Sequence, residues 1–189
     1  MQVVPYGGIA VQMDIERILS RALQVIGLGN NELAASYFAT CDECDCDTLA
    51  QKAEPGDHIA VWDETVGYWH HGIFVGIDGG SNYVIDMTPD SGIARRLLWQ
   101  FLKSADVAAI ICYDRALSRE NTLSLASVMI MEYTNTMDPP PAYDIAKRNC
   151  DIFAASCRLG MYVKCRLAPK GNIRGGAPSR SSKLRVSFG

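Results

Sequence analysis

The sequence predicts an α+β domain in which a small antiparallel sheet is packed by helices. Three observations predict it. Residues 58–62, 68–76 and 83–87 are rich in β-branched and aromatic side chains and are divided by turn residues, as a strand followed by a hairpin would be. Residues 11–26 and 118–133 carry apolar side chains at helical spacing. Residues 149–160 run from an asparagine suited to an N-cap to a glycine suited to C′, a short capped helix. A chain of 189 residues that is 48% hydrophobic can bury one sizeable core.

In chain order, Val11, Ile15, Ile18, Leu19, Ala22, Leu23 and Ile26 form one stripe, with Asp14, Glu16, Arg17 and Arg21 mostly off it. This helix is expected to pack on the body. A membrane-surface helix would carry a Lys/Arg-rich polar face, and this one is mixed in sign. Gly27-Leu28-Gly29 stops it, and Asn30 caps a second predicted helix over residues 31–40. The stretch Cys41-Asp42-Glu43-Cys44-Asp45-Cys46-Asp47 then reads as a solvated acidic loop. Cys41, Cys44 and Cys46 offer three soft ligands, whereas zinc needs a fourth from elsewhere. No cofactor is therefore expected, with zinc at these three thiols as the alternative. Such a cluster is also open to oxidation.

His58 lies in the first strand of the sheet and reads as structural. Two turns, residues 78–82 and 88–92, bracket the strand at 83–87. Residues 95–103 read as a short helix or irregular cover with Leu97, Leu98, Phe101 and Leu102 as its apolar face. Residues 105–113 form a buried strand, and the helix at 118–133 turns Leu123, Leu125, Val128, Met129 and Met131 to the core. Pro139, Pro140 and Pro141 end that helix. With Tyr143 they also make a pattern that proline-reading domains bind.

The chemistry centres on Cys150. It stands in the first turn of a helix, where the dipole favours a thiolate over a thiol. The bland reading is a small buried hydrophobe, because Phe153 and Cys157 share its face. A base is available upstream. Alternation along residues 68–76 puts His71, Ile73 and Val75 on one face and His70, Gly72, Phe74 and Gly76 on the other. His71 goes with the apolar set, as a packed or hydrogen-bonded histidine. His70 projects over a face cleared by two glycines, with room for substrate. The hairpin brings Asp86 near His70 across the ladder, where a carboxylate can hold the imidazole's tautomer.

Residues 149–160, Asn-Cys-Asp-Ile-Phe-Ala-Ala-Ser-Cys-Arg-Leu-Gly, resemble the NC box of the lecithin:retinol acyltransferase-like family. Pro55-Gly56-Asp57-His58-Ile59 through His70-His71-Gly72-Ile73-Phe74-Val75-Gly76 resembles its H box, and Tyr143 to Arg148 its Tyr-rich lead-in. The resemblance covers about residues 53–161 in the family's order and spacing. It implies a circularly permuted papain-like thiol fold. It also implies acyl transfer from phospholipids through a thioester on Cys150, with His70 as base. Asp86 falls where many animal members have a second histidine.

The expected organisation is an N-terminal helical extension with a Cys-rich loop over residues 1–52, an H-box/NC domain over 53–168, and a basic, disordered tail over 169–189. The tail holds Lys170, Arg174, Arg180, Lys183 and Arg185 and no acid. With a net charge of -3 there is no firm nucleic-acid signal. The expected partner is a lipid or other acyl substrate at a membrane surface, with a protein partner open to the N-terminal extension or the tail. No secretory signal or transmembrane run is present, and the seven cysteines fit a reducing compartment, so the expected location is cytoplasmic, peripheral on membranes at most. Two other functions stay open: a non-catalytic interaction protein, and a thiol peptidase or amidase.

Overall fold

The computed structural model describes residues 10–28, 37–65, 67–103, 105–136, 150–161 and 186–188. Its elements are α1 (Ala10–Val25), β1 (Tyr37–Cys44), α2 (Cys46–Lys52), β2 (His58–Asp63), β3 (Tyr68–Asp78), β4 (Ser81–Thr88), β5 (Gly92–Leu97), α3 (Leu98–Leu102), β6 (Ala108–Tyr113), α4 (Arg119–Thr136), α5 (Cys150–Leu159) and β7 (Val186–Phe188). The strands form one sheet in the order β5-β4-β3-β2-β6-β1-β7, with every pair antiparallel. The α+β class and the small antiparallel sheet are as the sequence predicts. Among the described residues no helix is long and apolar enough to cross a membrane.

Alternation in the strands sorts the core into two layers, one on each face of the sheet. On one face Ile73, Ile85, Met87 and Ile93 pack under Leu19 and Leu23 of α1, Leu125 and Met129 of α4, and Phe153 and Ala154 of α5. On the other, Ile59, Val61, Phe74 and Val84 pack under Leu49 of α2 and Leu98 and Phe101 of α3. The stripe predicted for the first helix holds where side chains are described, since Ile18, Leu19, Ala22 and Leu23 are all buried. In α4 the buried set is Thr122, Leu125, Ala126, Met129 and Tyr133, whereas Met131, assigned to the core from the sequence, is exposed.

Three expectations need correction. The helix predicted over 31–40 is contradicted at its C-terminal end, because residues 37–40 belong to β1. β1 pairs with β6 from Ala39↔Tyr113 to Cys44↔Ala108, and that long-range ladder overrides a locally helical composition. The Cys-rich stretch is not a loop. Cys41 and Cys44 lie in this strand, and Asp45 caps α2 by accepting the Thr48 amide at 2.7 Å. Finally, of the stretch 95–103 read as a short helix or irregular cover, the helix is present at Leu98–Leu102, whereas residues 95–97 end a strand. β5 pairs with β4 from Tyr83↔Leu97 to Thr88↔Gly92, and only then does α3 begin.

β1 and α2 thus join the same sheet and core as the strands that follow them. Of the tail, residues 186–188 pair with β1, and residues 169–185 lie outside the described residues. So do the proline run, Tyr143, the lead-in to Arg148 and Asn149. α5 ends as predicted at Gly160, with φ +66° and its amide bonded to Ser156 O at 2.9 Å.

Candidate active site

The β3–β4 ladder sets the site. Gly72 is opposite Asp86, so His70, two residues earlier on the same face, is the diagonal neighbour of that carboxylate. His70 Nε2 is 2.7 Å from Asp86 Oδ2, and Asp86 is fully buried. A carboxylate there needs further partners, because burial without them is costly. Arg96 supplies one. From β5, where Ala94 is opposite Asp86, its Nε donates to Asp86 Oδ1 at 2.5 Å. Its Nη2 donates to Ser91 Oγ at 2.9 Å and Thr88 Oγ1 at 3.3 Å. Asp86 is therefore fixed from both sides, base and cation.

Phe101 of α3 packs against the His70 ring, with centroids 5.0 Å apart. Gly72 makes that approach possible. A Cβ there would sit 2.6 Å from Val84 Cγ1 and 3.0 Å from Phe101 Cε2. The glycine does not clear a substrate face, as the sequence implied; it is filled by packing. Gly76 likewise accommodates Pro55, whose Cγ would lie 2.8 Å from a Cβ.

Cys150 opens α5 and is 1% exposed. With Nε2 committed to Asp86, Nδ1 of His70 is buried without a well-formed hydrogen bond among the described residues and is the nitrogen left for the thiol. Burial opposes the charge on His70, but hydrogen bonding to Asp86 and Cys150, and the negative charge of both, outweigh it and raise the pKa to about 9. The three residues singled out from the sequence, Cys150, His70 and Asp86, thus meet at one place.

A cleft of about 320 Å³ reaches His70 from outside. Val61, Phe101, Leu102 and Ala105 give it an apolar lining, and Asp63, Glu64, Thr65 and Lys103 a polar one. Lys103 Nζ lies 3.3 Å from Asp63 Oδ2. His70 lines the cleft and Cys150 does not.

The other histidines lie on the face under α5. His71 Nδ1 is 2.9 Å from His58 Nε2 and 3.8 Å from Asp151 Oδ1, and His58 Nδ1 is 2.7 Å from the Tyr113 hydroxyl. Burial lowers the pKa of both rings, helped for His58 by the charges of His71 and Arg158 and only partly offset for His71 by Asp151. Cys157 is a core thiol, 3.6 Å from Met129 Sδ, and burial raises its pKa far up. Burial also raises Cys44 and Cys46, and the Cys46 thiol donates to Ala105 O at 2.9 Å. The Cys41 side chain lies outside those described.

Sequence reasoning missed Arg96 and Phe101. The signal for Arg96 was present in the Asp90-Ser91-Gly92 turn after β4. Once that turn is read as a second hairpin, its register carries Arg96 to Asp86.

No curated protein matches the chain. The family model for lecithin retinol acyltransferase matches residues 51–163, a span that holds His70, Asp86 and Cys150. A match over more than half of the 189 residues, with these three side chains gathered inside it, places the chain in the lecithin retinol acyltransferase family.

Proposed function

We propose that the chain is a thiol acyltransferase or hydrolase that takes an acyl group from a lipid ester through a thioester on Cys150. The observation that carries the reading is His70, bonded to a buried carboxylate and raised to about 9 in company with Cys150. A base so placed beside a thiol can take its proton and hand it to a leaving group.

The steps follow from that arrangement. The Cys150 sulfur attacks the ester carbonyl carbon, and the positive N-terminal end of α5 offsets the oxyanion. Collapse breaks the bond to the alkoxy group, which leaves with the His70 proton, and the acyl group stays on sulfur. His70, now neutral, takes a proton from water or from an acceptor amine or alcohol as that nucleophile attacks the thioester. The product departs, the sulfur leaves as thiolate, and the imidazolium is restored. Asp86 holds the ring's orientation and offsets its charge throughout, itself fixed by Arg96. The apolar lining of the cleft beside His70 suits an acyl chain.

The burial of Cys150 favours a second reading, a binding protein that keeps the fold and leaves the thiol unused. Release of fatty acid from short-chain phosphatidylcholine, followed for wild type, Cys150→Ser and His70→Ala, separates the two. Release by wild type and by neither variant supports the enzyme. Equal release by all three would contradict a thioester on Cys150, and no release together with sluggish alkylation of Cys150 supports the binding protein.

A further inference from the structure

The second cluster of histidines has a composition that proton transfer at His70 does not call for. Tyr113, His58 and His71 step diagonally across β6, β2 and β3 on the face that α5 covers. Asp151 of α5 completes the group, one turn before Ala155, which packs with Leu159 against Tyr113. His58, His71 and Asp151 offer ligand atoms that all lie within 4.8 Å of one another. In particular, His58 Nε2 and Asp151 Oδ1 lie 2.9 Å and 3.8 Å from His71 Nδ1.

A tetrahedral ion with bonds of about 2.0–2.1 Å holds its ligand atoms roughly 3.3 Å apart. Both separations are within about half an ångström of that spacing. Two imidazoles and a carboxylate suit a borderline divalent ion and not magnesium or calcium, which take oxygen ligands. Behind one ligand the support is also in place. His58 Nδ1 meets the Tyr113 hydroxyl at 2.7 Å, which fixes the ring and leaves Nε2 toward the cluster. His58 is 1% exposed, while the Asp151 side chain is 26% exposed, so one side stays open to a water as fourth ligand.

We propose that His58, His71 and Asp151 bind one divalent transition-metal ion of the zinc type, tying the first turn of α5 to β2 and β3. The ion takes no direct part in the acyl-transfer step, because His70 and Cys150 are not among its ligands. It braces Asp151, the residue next to Cys150, against the strand that carries His70. This goes beyond the acyl-transfer reading, and its test reads binding rather than turnover.

The experiment uses the full chain, reduced and stripped with chelator, and titrates it with Co²⁺ as a spectroscopic substitute for Zn²⁺. Cys41, Cys44 and Cys46 are replaced by Ser, so that those thiols cannot supply the binding. The expected result is one equivalent of Co²⁺ with visible d–d absorption and no thiolate charge-transfer band, displaced by Zn²⁺, with a higher Tm when loaded. His71→Ala and Asp151→Asn should each weaken binding at least about 10-fold. If His71→Ala does not fold, Asp151→Asn decides, since its side chain is partly exposed and keeps its shape. Absence of a bound ion, or undiminished binding in the foldable variants, would overturn the site and leave a hydrogen-bonded histidine pair. Binding that disappears with the three Ser replacements would likewise overturn it, in favour of the thiols.

Discussion

Asp86→Asn is the most informative single change, because it keeps the side chain's shape and removes only its charge. The carboxylate accepts from Arg96 at 2.5 Å and bonds His70 at 2.7 Å with no exposure to water. For His70, a rise from the usual 6.5 to about 9 corresponds to about 3 kcal/mol. Its folded pKa is above the unfolded value, so that stabilisation is complete below pH 6.5 and is lost as pH climbs through about 9. His58 and His71 act in the other sense. Their folded pKa values are depressed, so the unfolded chain binds their protons first and stability falls as pH drops below 6.5. Wild type should therefore be most stable near neutrality. Hydrogen bonding to Asp86 is the first of the causes that raise His70, so Asp86→Asn should lower the His70 pKa and flatten the loss of stability between pH 6.5 and 9.5. At pH 7 the variant should also be about 2–3 kcal/mol less stable, the worth of one charged hydrogen bond with the other partly kept by the amide. Urea unfolding across pH, with chelator present, and the His70 ring titration by NMR measure both quantities. An unchanged His70 pKa, or a pH slope equal to that of wild type, would refute this account of the site.

Three further outcomes follow from the same contacts. His70→Ala should lower turnover by about 10²–10⁴, measured as kcat on a lipid ester, because it removes the proton donor and acceptor. Arg96→Met should cost about 2–4 kcal/mol in urea unfolding, since it leaves a buried carboxylate with one charged partner instead of two. The same variant should shift the pH profile of kcat, which a loss of packing alone would not do. Gly72→Ala should cost about 1–3 kcal/mol, because the new Cβ meets Val84, Phe101 and the Ile85 carbonyl at 2.6 to 3.1 Å. A neutral Gly72→Ala would show that Phe101 is not held against His70 as described.

What was legible in the sequence was local. The hairpin of β3 and β4 announced itself by alternation and by the Gly79-Gly80 turn, and with it came the His70–Asp86 pairing. The helix of Cys150 announced itself through Asn149, suited to an N-cap, and its C′ glycine. What was hidden depended on distant partners. β1 is a strand because β6 offers it an edge, against the helical bias of the residues just before it. β5 was obscured by Arg95 and Arg96, two charges that this edge strand accommodates because Arg95 pairs with Asp78 and Arg96 reaches Asp86. The grouping of His58, His71 and Asp151 could not be read in full, since Asp151 lies far along the chain from the two neighbouring strands and joins their histidines only in the fold. The two glycines beside His70 were visible, but composition cannot distinguish a vacant face from one that Phe101 and Pro55 fill.

The central claim is a thioester on Cys150, and intact-mass spectrometry tests it most directly. Wild type and Cys150→Ser are incubated with short-chain phosphatidylcholine, quenched in acid and weighed. The account predicts a gain of one acyl group on wild type alone, removed by hydroxylamine. No gain on wild type, together with sluggish alkylation of Cys150 by iodoacetamide, would contradict it.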